Sequence, residues 1–375
     1  MIPKLQHIPR MICLARHSAK RALRDNCTAQ RTKANSLALL TSLIVWGALA
    51  TPVVAQEAVP LADAPSAMIV VVGAAGADQF SQEFEAWAKP WQQLAEGNAW
   101  TLTTIGTQAG AAQATPREQL QAALATYQSF QGRLWIVMLG HGTYSKGVAK
   151  FNLAGADFSA SDLKSWLAKV PSEIVLVNCS SASAPFLSEL SGNGRIVITA
   201  TRNGSEINYS RFGKFLSNSL SELTADIDHD QSVSLLEAFL AASAHTEAFY
   251  RDEIRLATEH ALIDDNGDRA GTSGDFYRGI RAIKSEKDSK AIDGSRAARI
   301  VLFSAAGSPQ FSPELLHKRD AIEQAIDRLR SQKSQLAETD YYQQLEALLL
   351  DLAKLYDLAE AATPVPPPPP PAQIP

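Results

Sequence analysis

Five apolar runs, each long enough for a strand and too short for a membrane span, fix what this chain can fold into. They are AMIVVVGAAG (67–76), WTLTTIG (100–106), RLWIVMLG (133–140), EIVLVN (173–178) and RIVITAT (195–201). Runs with almost no polar alternation read as strands covered on both faces. Segments of helical periodicity lie between them: 78–96, 115–130, 159–170 and 183–192. The second opens with Thr115 as N-cap, Pro116 at the first helical position and Glu118 in capping-box placement. KFNLAG (150–155) reads as the short return of a hairpin, and RIVLFS (299–304) as a late sixth strand. Strands alternating with helices imply an α/β fold, a three-layer α/β/α sandwich around a mainly parallel sheet.

The flanking segments differ in character. Residues 1–35 carry eight Lys/Arg and one acid, Asp25, and are followed by the apolar SLALLTSLIVWGALA and small residues at 52–55. Residues 1–55 are therefore read as a signal peptide, which predicts a periplasmic or secreted protein. The alternative is an uncleaved membrane anchor. A linker (56–66), the main domain (67–310), a helical hairpin (311–362) and a Pro-rich disordered tail (363–375) follow. The hairpin sequence is charged, with apolar residues three and four apart, and is expected to break near Glu338-Thr339-Asp340. It packs on the main domain or serves self or partner association. After cleavage 27 basic and 38 acidic residues remain, a net charge of −11. That balance argues against nucleic acid as a partner.

Cleavage also removes Cys13 and Cys27 and leaves Cys179 as the single thiol. A lone cysteine cannot form a disulfide within its chain, so Cys179 is either an inert core residue or a reactive one. It ends the apolar run SEIVLVNC, and thirty-eight residues upstream RLWIVMLG ends at His141-Gly142. Sites in parallel sheets form beyond the carboxyl ends of the strands. A thiol and an imidazole placed there suit a nucleophile and its base. The Gly142 and Cys179 amides are the candidate oxyanion donors. No CxxC, HExxH, GxSxG or phosphate-binding loop is present.

The stretches VMLGHGTYSKGVAKFNLAGADFSASDL (137–163), IVLVNCSSASAPFLSEL (174–190) and RIVITATRNGSEINYSRFGKFL (195–216) resemble the caspase-hemoglobinase superfamily of cysteine peptidases, nearest to bacterial legumain-like members. The resemblance implies a Cys179/His141 dyad and peptide-bond hydrolysis, with no cofactor for catalysis. Legumains carry a glutamate two residues before the nucleophile; Val177 stands here, and the Gln-Ala-Cys of caspases is Val177-Asn178-Cys179. Neither asparagine nor aspartate preference follows. Arg202 and Glu206 are the candidate substrate-binding residues, suited to acidic and basic side chains respectively; the alternative is a pair of surface charges. The rival function is a catalytically silent binding or assembly protein acting through its C-terminal helices. A transpeptidase using the same acyl-enzyme is a third option.

DIDHDQSVSLLE (226–237) has calcium-loop spacing: Asp226, Asp228, Asp230, Ser232 through its carbonyl, Ser234, and Glu237 at position twelve. Gln231 replaces the usual glycine at position six. LIDDNGDRAGTSGD (262–275) repeats the pattern more loosely through Asp264, Asn266, Asp268 and Asp275. Calcium in such loops would be structural, because hard oxygen ligands do not activate a thiol.

Overall fold

The computed structural model describes residues 65–107, 114–284, 292–305, 308–309 and 311–362. In chain order the elements are β1 (Ser66–Val72), α1 (Asp78–Gly97), β2 (Thr101–Ile105), α2 (Pro116–Thr126), β3 (Arg133–Leu139), β4 (Gly142–Ser145), β5 (Val148–Phe151), β6 (Phe158–Ser159), α3 (Ala160–Leu167) and β7 (Glu173–Asn178). They continue with α4 (Ala184–Leu190), β8 (Arg195–Thr199), α5 (Phe212–Ser219), β9 (Ser232–Ser234), α6 (Leu235–Asp252), β10 (Leu262–Asp264), β11 (Thr272–Ser273), β12 (Tyr277–Arg278), β13 (Arg281–Ala282), β14 (Val301–Ser304), α7 (Pro313–Ser331) and α8 (Glu338–Ala362). The signal peptide, most of the linker and the Pro-rich tail fall outside the described residues.

The main sheet has seven strands in the order β11-β10-β8-β7-β3-β1-β2. β2, β1, β3, β7 and β8 are parallel; β10 and β11 are antiparallel. Alternate residues feed opposite cores, because successive strand side chains point to opposite faces. Val137, Leu139, Val175, Val177 and Cys179 pack with Phe84, Trp87 and Trp91 of α1, Phe212 and Leu216 of α5, and Phe239 of α6. Ile136, Met138, Ile174 and Leu176 pack with Leu120 of α2, Leu163 of α3 and Phe186 of α4. Two covered faces explain the near-continuous apolar runs and make the fold a three-layer α/β/α sandwich. Each fully buried aliphatic or aromatic side chain contributes roughly 1.5–3 kcal/mol of transfer free energy.

Local signals match the elements they precede. Thr115 and Glu118 exchange the capping-box hydrogen bonds ahead of α2, and Ser159 and Asp162 do the same ahead of α3. KFNLAG is in part the hairpin return expected of it, since β5 pairs antiparallel with β4. RIVLFS does not join the main sheet. Val301–Ser304 pairs antiparallel with β9, and only one side of it is covered: Leu302 is buried while Val301 is exposed. A strand with one wet face cannot replace an inner strand of a doubly covered sheet. The outer positions go instead to β10 and β11, which at three and two residues are too short to stand out as strands in the sequence.

Candidate active site

β3 and β7 are parallel neighbours, with Met138 opposite Asn178. Cys179 follows β7 directly, and His141 lies two residues past the end of β3. Residue parity puts both side chains on the face covered by α1 and α5. The imidazole is half-buried against Phe80 at 4.9 Å, Phe84 at 5.1 Å and Tyr209 at 5.7 Å between ring centroids. His141 Nε2 lies 3.2 Å from the Ala75 carbonyl. A carbonyl can only accept, so Nε2 carries the proton and Nδ1 keeps its lone pair. Burial lowers the imidazole pKa, against the opposing pull of the Ala75 bond. The ring is a neutral base with one nitrogen anchored.

The thiol is sealed. Cys179 is 0 % exposed. Trp87 of α1 and Gly213 of α5 close over it: a Cβ on Gly213 would sit 2.8 Å from Cys179 Cβ and 3.0 Å from the Trp87 ring. Burial pushes the thiol pKa well above its ordinary value, and the negative charge of Glu259 adds to the rise. Among the described residues no hydrogen bond joins Cys179 Sγ to the His141 ring. The pair is a neutral thiol and a neutral imidazole, not a thiolate–imidazolium ion pair.

The two expected oxyanion donors separate. The Cys179 amide donates to the Met138 carbonyl at 2.9 Å, so it is spent in the sheet and cannot serve an oxyanion in this conformation. The Gly142 amide is not committed in the same way. The Asn152 amide donates to the His141 carbonyl at 3.0 Å, which makes Gly142–Phe151 a non-hydrogen-bonded pair of the β4–β5 ladder. The Gly142 N–H therefore points away from β5. A side chain at this position would strike the Ser181 carbonyl at 2.1 Å, so glycine is what lets the two strand ends meet.

The turn after Cys179 is held from several directions. Asn178 Oδ1 accepts from the Ser180 amide (3.0 Å) and hydroxyl (2.7 Å), while Asn178 Nδ2 is buried without a partner among the described residues. The Ala182 amide donates to the Glu206 carbonyl at 2.8 Å. Glu259, 3 % exposed, accepts from Ser210 Oγ, the Arg211 and Phe212 amides, and Tyr250 OH. It thereby caps the start of α5 from a distant part of the chain. Ala75, Asn178, Tyr209 and Glu259 give no signal in a single sequence, because their roles depend on long-range packing.

Arg202 and Glu206 are brought together rather than facing a substrate separately. Glu206 accepts from the Arg202 amide at 2.9 Å and pairs with Arg202 Nε at 3.3 Å. It also meets His260 Nδ1 at 2.6 Å and accepts from the His260 amide. These partners saturate the carboxylate, which leaves it unfit to receive a basic side chain. Arg202 remains exposed.

In the first acidic loop the carboxylate oxygens of Asp226, Asp228 and Glu237 lie within 4.8 Å of one another. Asp230 does not join them; its Oδ1 accepts from the Ser232 amide at 2.8 Å. The Ser232 hydroxyl faces Ser304 of β14 at 3.2 Å. Ser234 caps α6 in a capping box with Glu237. His229 and Gln231 adopt positive φ of 63° and 71°, so the position-six turn forms without its glycine. Partial desolvation within the loop and the charges of Asp230, Glu237 and Asp226 raise the Asp228 pKa to about 7, although the side chain keeps an exposed edge. The donor set suits a hard cation. The loop faces α7 and α8 across a cavity of about 1030 Å³ that Arg319, Glu323 and Tyr356 also line. The second loop is tied up internally: Asp264 accepts from the Gly267 and Arg269 amides and from Ser191 Oγ. Among the described residues it assembles no group of three converging ligands.

No protein-family profile matches the chain, and no curated protein does. Solved structures share a distant likeness. The Drosophila initiator caspase Dronc is 16% identical over 54% of this chain and 80% of its own, with a TM-score of 0.36. Caspase-1 from Spodoptera frugiperda is 10% identical over 54% and 86%, at 0.34. Raptor from Chaetomium thermophilum is 9% identical over 43% of this chain and 18% of its own, at 0.28. Scores this low carry no argument about chemistry, and the fold class rests on the strand order above.

Proposed function

We propose that this chain is an exported caspase-type cysteine endopeptidase working through Cys179 and His141. The observation that carries the reading is the placement of both side chains past adjacent parallel strands, on one face, with His141 oriented by the Ala75 carbonyl. His141 Nδ1 takes the thiol proton, and the sulfur attacks the scissile carbonyl carbon. The Gly142 amide receives the resulting oxyanion. Collapse of the tetrahedral intermediate breaks the C–N bond, His141 returns the proton to the leaving amine, and a thioester remains. Water, deprotonated by His141, then releases the acid and restores the thiol. Export rests on the basic-then-apolar N-terminal sequence. The test is hydrolysis of a diverse peptide library by the purified protein. Loss of cleavage in Cys179→Ala supports the reading, and equal cleavage by wild type and variant overturns it.

A second reading has its own observation. The thiol is fully buried and its amide is spent in the sheet, as suits a silent scaffold. Leu349, Leu350 and Leu358 are exposed on α8 and would offer such a protein a surface for self or partner association. A thiol that stays unreactive in every condition, in a protein that forms a stable complex, separates this reading from the first. The first acidic loop is proposed as a structural calcium site, supported by the convergence of Asp226, Asp228 and Glu237.

A further inference from the structure

We infer that the seam between α1 and α5 is a gate over Cys179, clasped shut by the Tyr209–Glu83 hydrogen bond. The inference concerns the regulation of the site proposed above, but its readout needs no catalysis. α1 presents Phe80, Phe84 and Trp87 along one face toward the strand ends. Phe80 and Phe84 cover the His141 ring, and the Trp87 ring meets Gly213 beside Cys179 Cβ. The opposite wall is the segment leading into α5. Its Tyr209 ring packs on Phe80 at 4.8 Å and on Trp87 at 6.1 Å, which completes an aromatic lid. The Tyr209 hydroxyl donates to the Glu83 carboxylate, joining the lid's two halves by a charge-assisted bond. Arg211 lies over the outer face of the Tyr209 ring, 5.3 Å from its centroid.

Further along the same seam Trp91 Nε1 donates to Ser217 Oγ at 3.1 Å. Among the described residues the seam thus carries a buried polar tie that belongs to the core and the Tyr209–Glu83 tie, which sits at the solvent edge. A tie at the edge can break without dismantling the core beneath it, whereas the thiol cannot meet a peptide until the edge opens.

The clasp is tested by the rate at which iodoacetamide alkylates Cys179 under native conditions, with the adduct located by peptide mass mapping so that Cys13 and Cys27 do not contribute. Tyr209→Phe removes the hydroxyl and keeps the ring. It is expected to speed labelling of Cys179 about tenfold, the population change that loss of one charge-assisted hydrogen bond produces. Glu83→Gln keeps a neutral bond and is expected to give a smaller increase. Ser217→Ala cuts the inner tie and serves as the comparison, with urea unfolding measured for every variant. The clasp is overturned if Tyr209→Phe labels no faster than wild type. It is also overturned if Ser217→Ala accelerates labelling as much, or if the acceleration is matched by an equal loss of global stability. Peptidase failure with accelerated labelling would sink the function and leave the gate standing.

Discussion

Glu259→Ala is the substitution whose cost can be worked most fully from the structure. The carboxylate is buried and accepts from Ser210 Oγ at 2.6 Å, the Arg211 amide at 2.8 Å, the Phe212 amide at 3.0 Å and Tyr250 OH at 3.0 Å. α5 has no side-chain cap of its own, because its N-cap residue is Arg211. Removing the carboxylate leaves two backbone donors and the Ser210 hydroxyl without an acceptor, while Tyr250 OH keeps Thr258 Oγ1 at 3.0 Å. Each unsatisfied buried group costs about 1–3 kcal/mol, and the terms overlap because the hydroxyls can turn elsewhere and water can enter the space. A net loss of about 3–5 kcal/mol follows, with Glu259→Gln costing less because it keeps one accepting oxygen. Equilibrium urea unfolding is the assay, and the loss should appear as a lower midpoint at unchanged slope. A cost under about 1 kcal/mol for Glu259→Ala would refute the reasoning, since three donors stripped of their acceptor cannot be released that cheaply.

Gly142→Ala drives a methyl into the Ser181 carbonyl at 2.1 Å and should destabilise the protein by about 1–3 kcal/mol, or displace β4, measured by thermal unfolding and hydrogen exchange at Thr143. Asp293 is held up to about 8, chiefly by burial, with the charges of Asp265 and Asp264 adding to it against a hydrogen bond from Thr272. Its folded pKa lies above the unfolded value of about 3.9, so its contribution is complete below pH of about 3.9 and is lost as pH rises through about 8. Asp293→Asn should therefore gain stability relative to wild type as pH rises from about 4 to about 8, with no further gain above that, and a pH-independent difference would contradict this. Calcium should raise the melting temperature of wild type and leave Asp228→Asn unmoved, followed by thermal denaturation with and without a chelator.

The doubly covered strands were legible because burial on both faces leaves its mark in every residue of a run, as in EIVLVN, which coincides with β7. Capping at Thr115 was legible because the chemistry is local. The hairpin break was nearly so, since α8 begins at Glu338. β10 and β11 were hidden because three- and two-residue strands have no periodicity to read. RIVLFS misled because an apolar run does not say which sheet it enters. At the site, strand-end logic brought His141, Gly142 and Cys179 to one place. It did not reveal that the Cys179 amide is spent on Met138, nor that Glu206 is saturated by Arg202 and His260. Those outcomes depend on hydrogen-bond register and on residues dozens of positions away, which one sequence does not display.

The central claim is that Cys179 and His141 act together on a peptide carbonyl. Its most direct test is covalent trapping with a peptide carrying an acylating electrophile at the scissile position, followed by mass mapping of the adduct. Wild type and the clasp-opened Tyr209→Phe variant should form a thioester on Cys179, faster in the variant, and His141→Ala should slow trapping in both backgrounds by about 100-fold or more, the usual range for loss of a general base. An adduct that forms equally fast without His141, or no adduct at Cys179 in either background, would contradict the account.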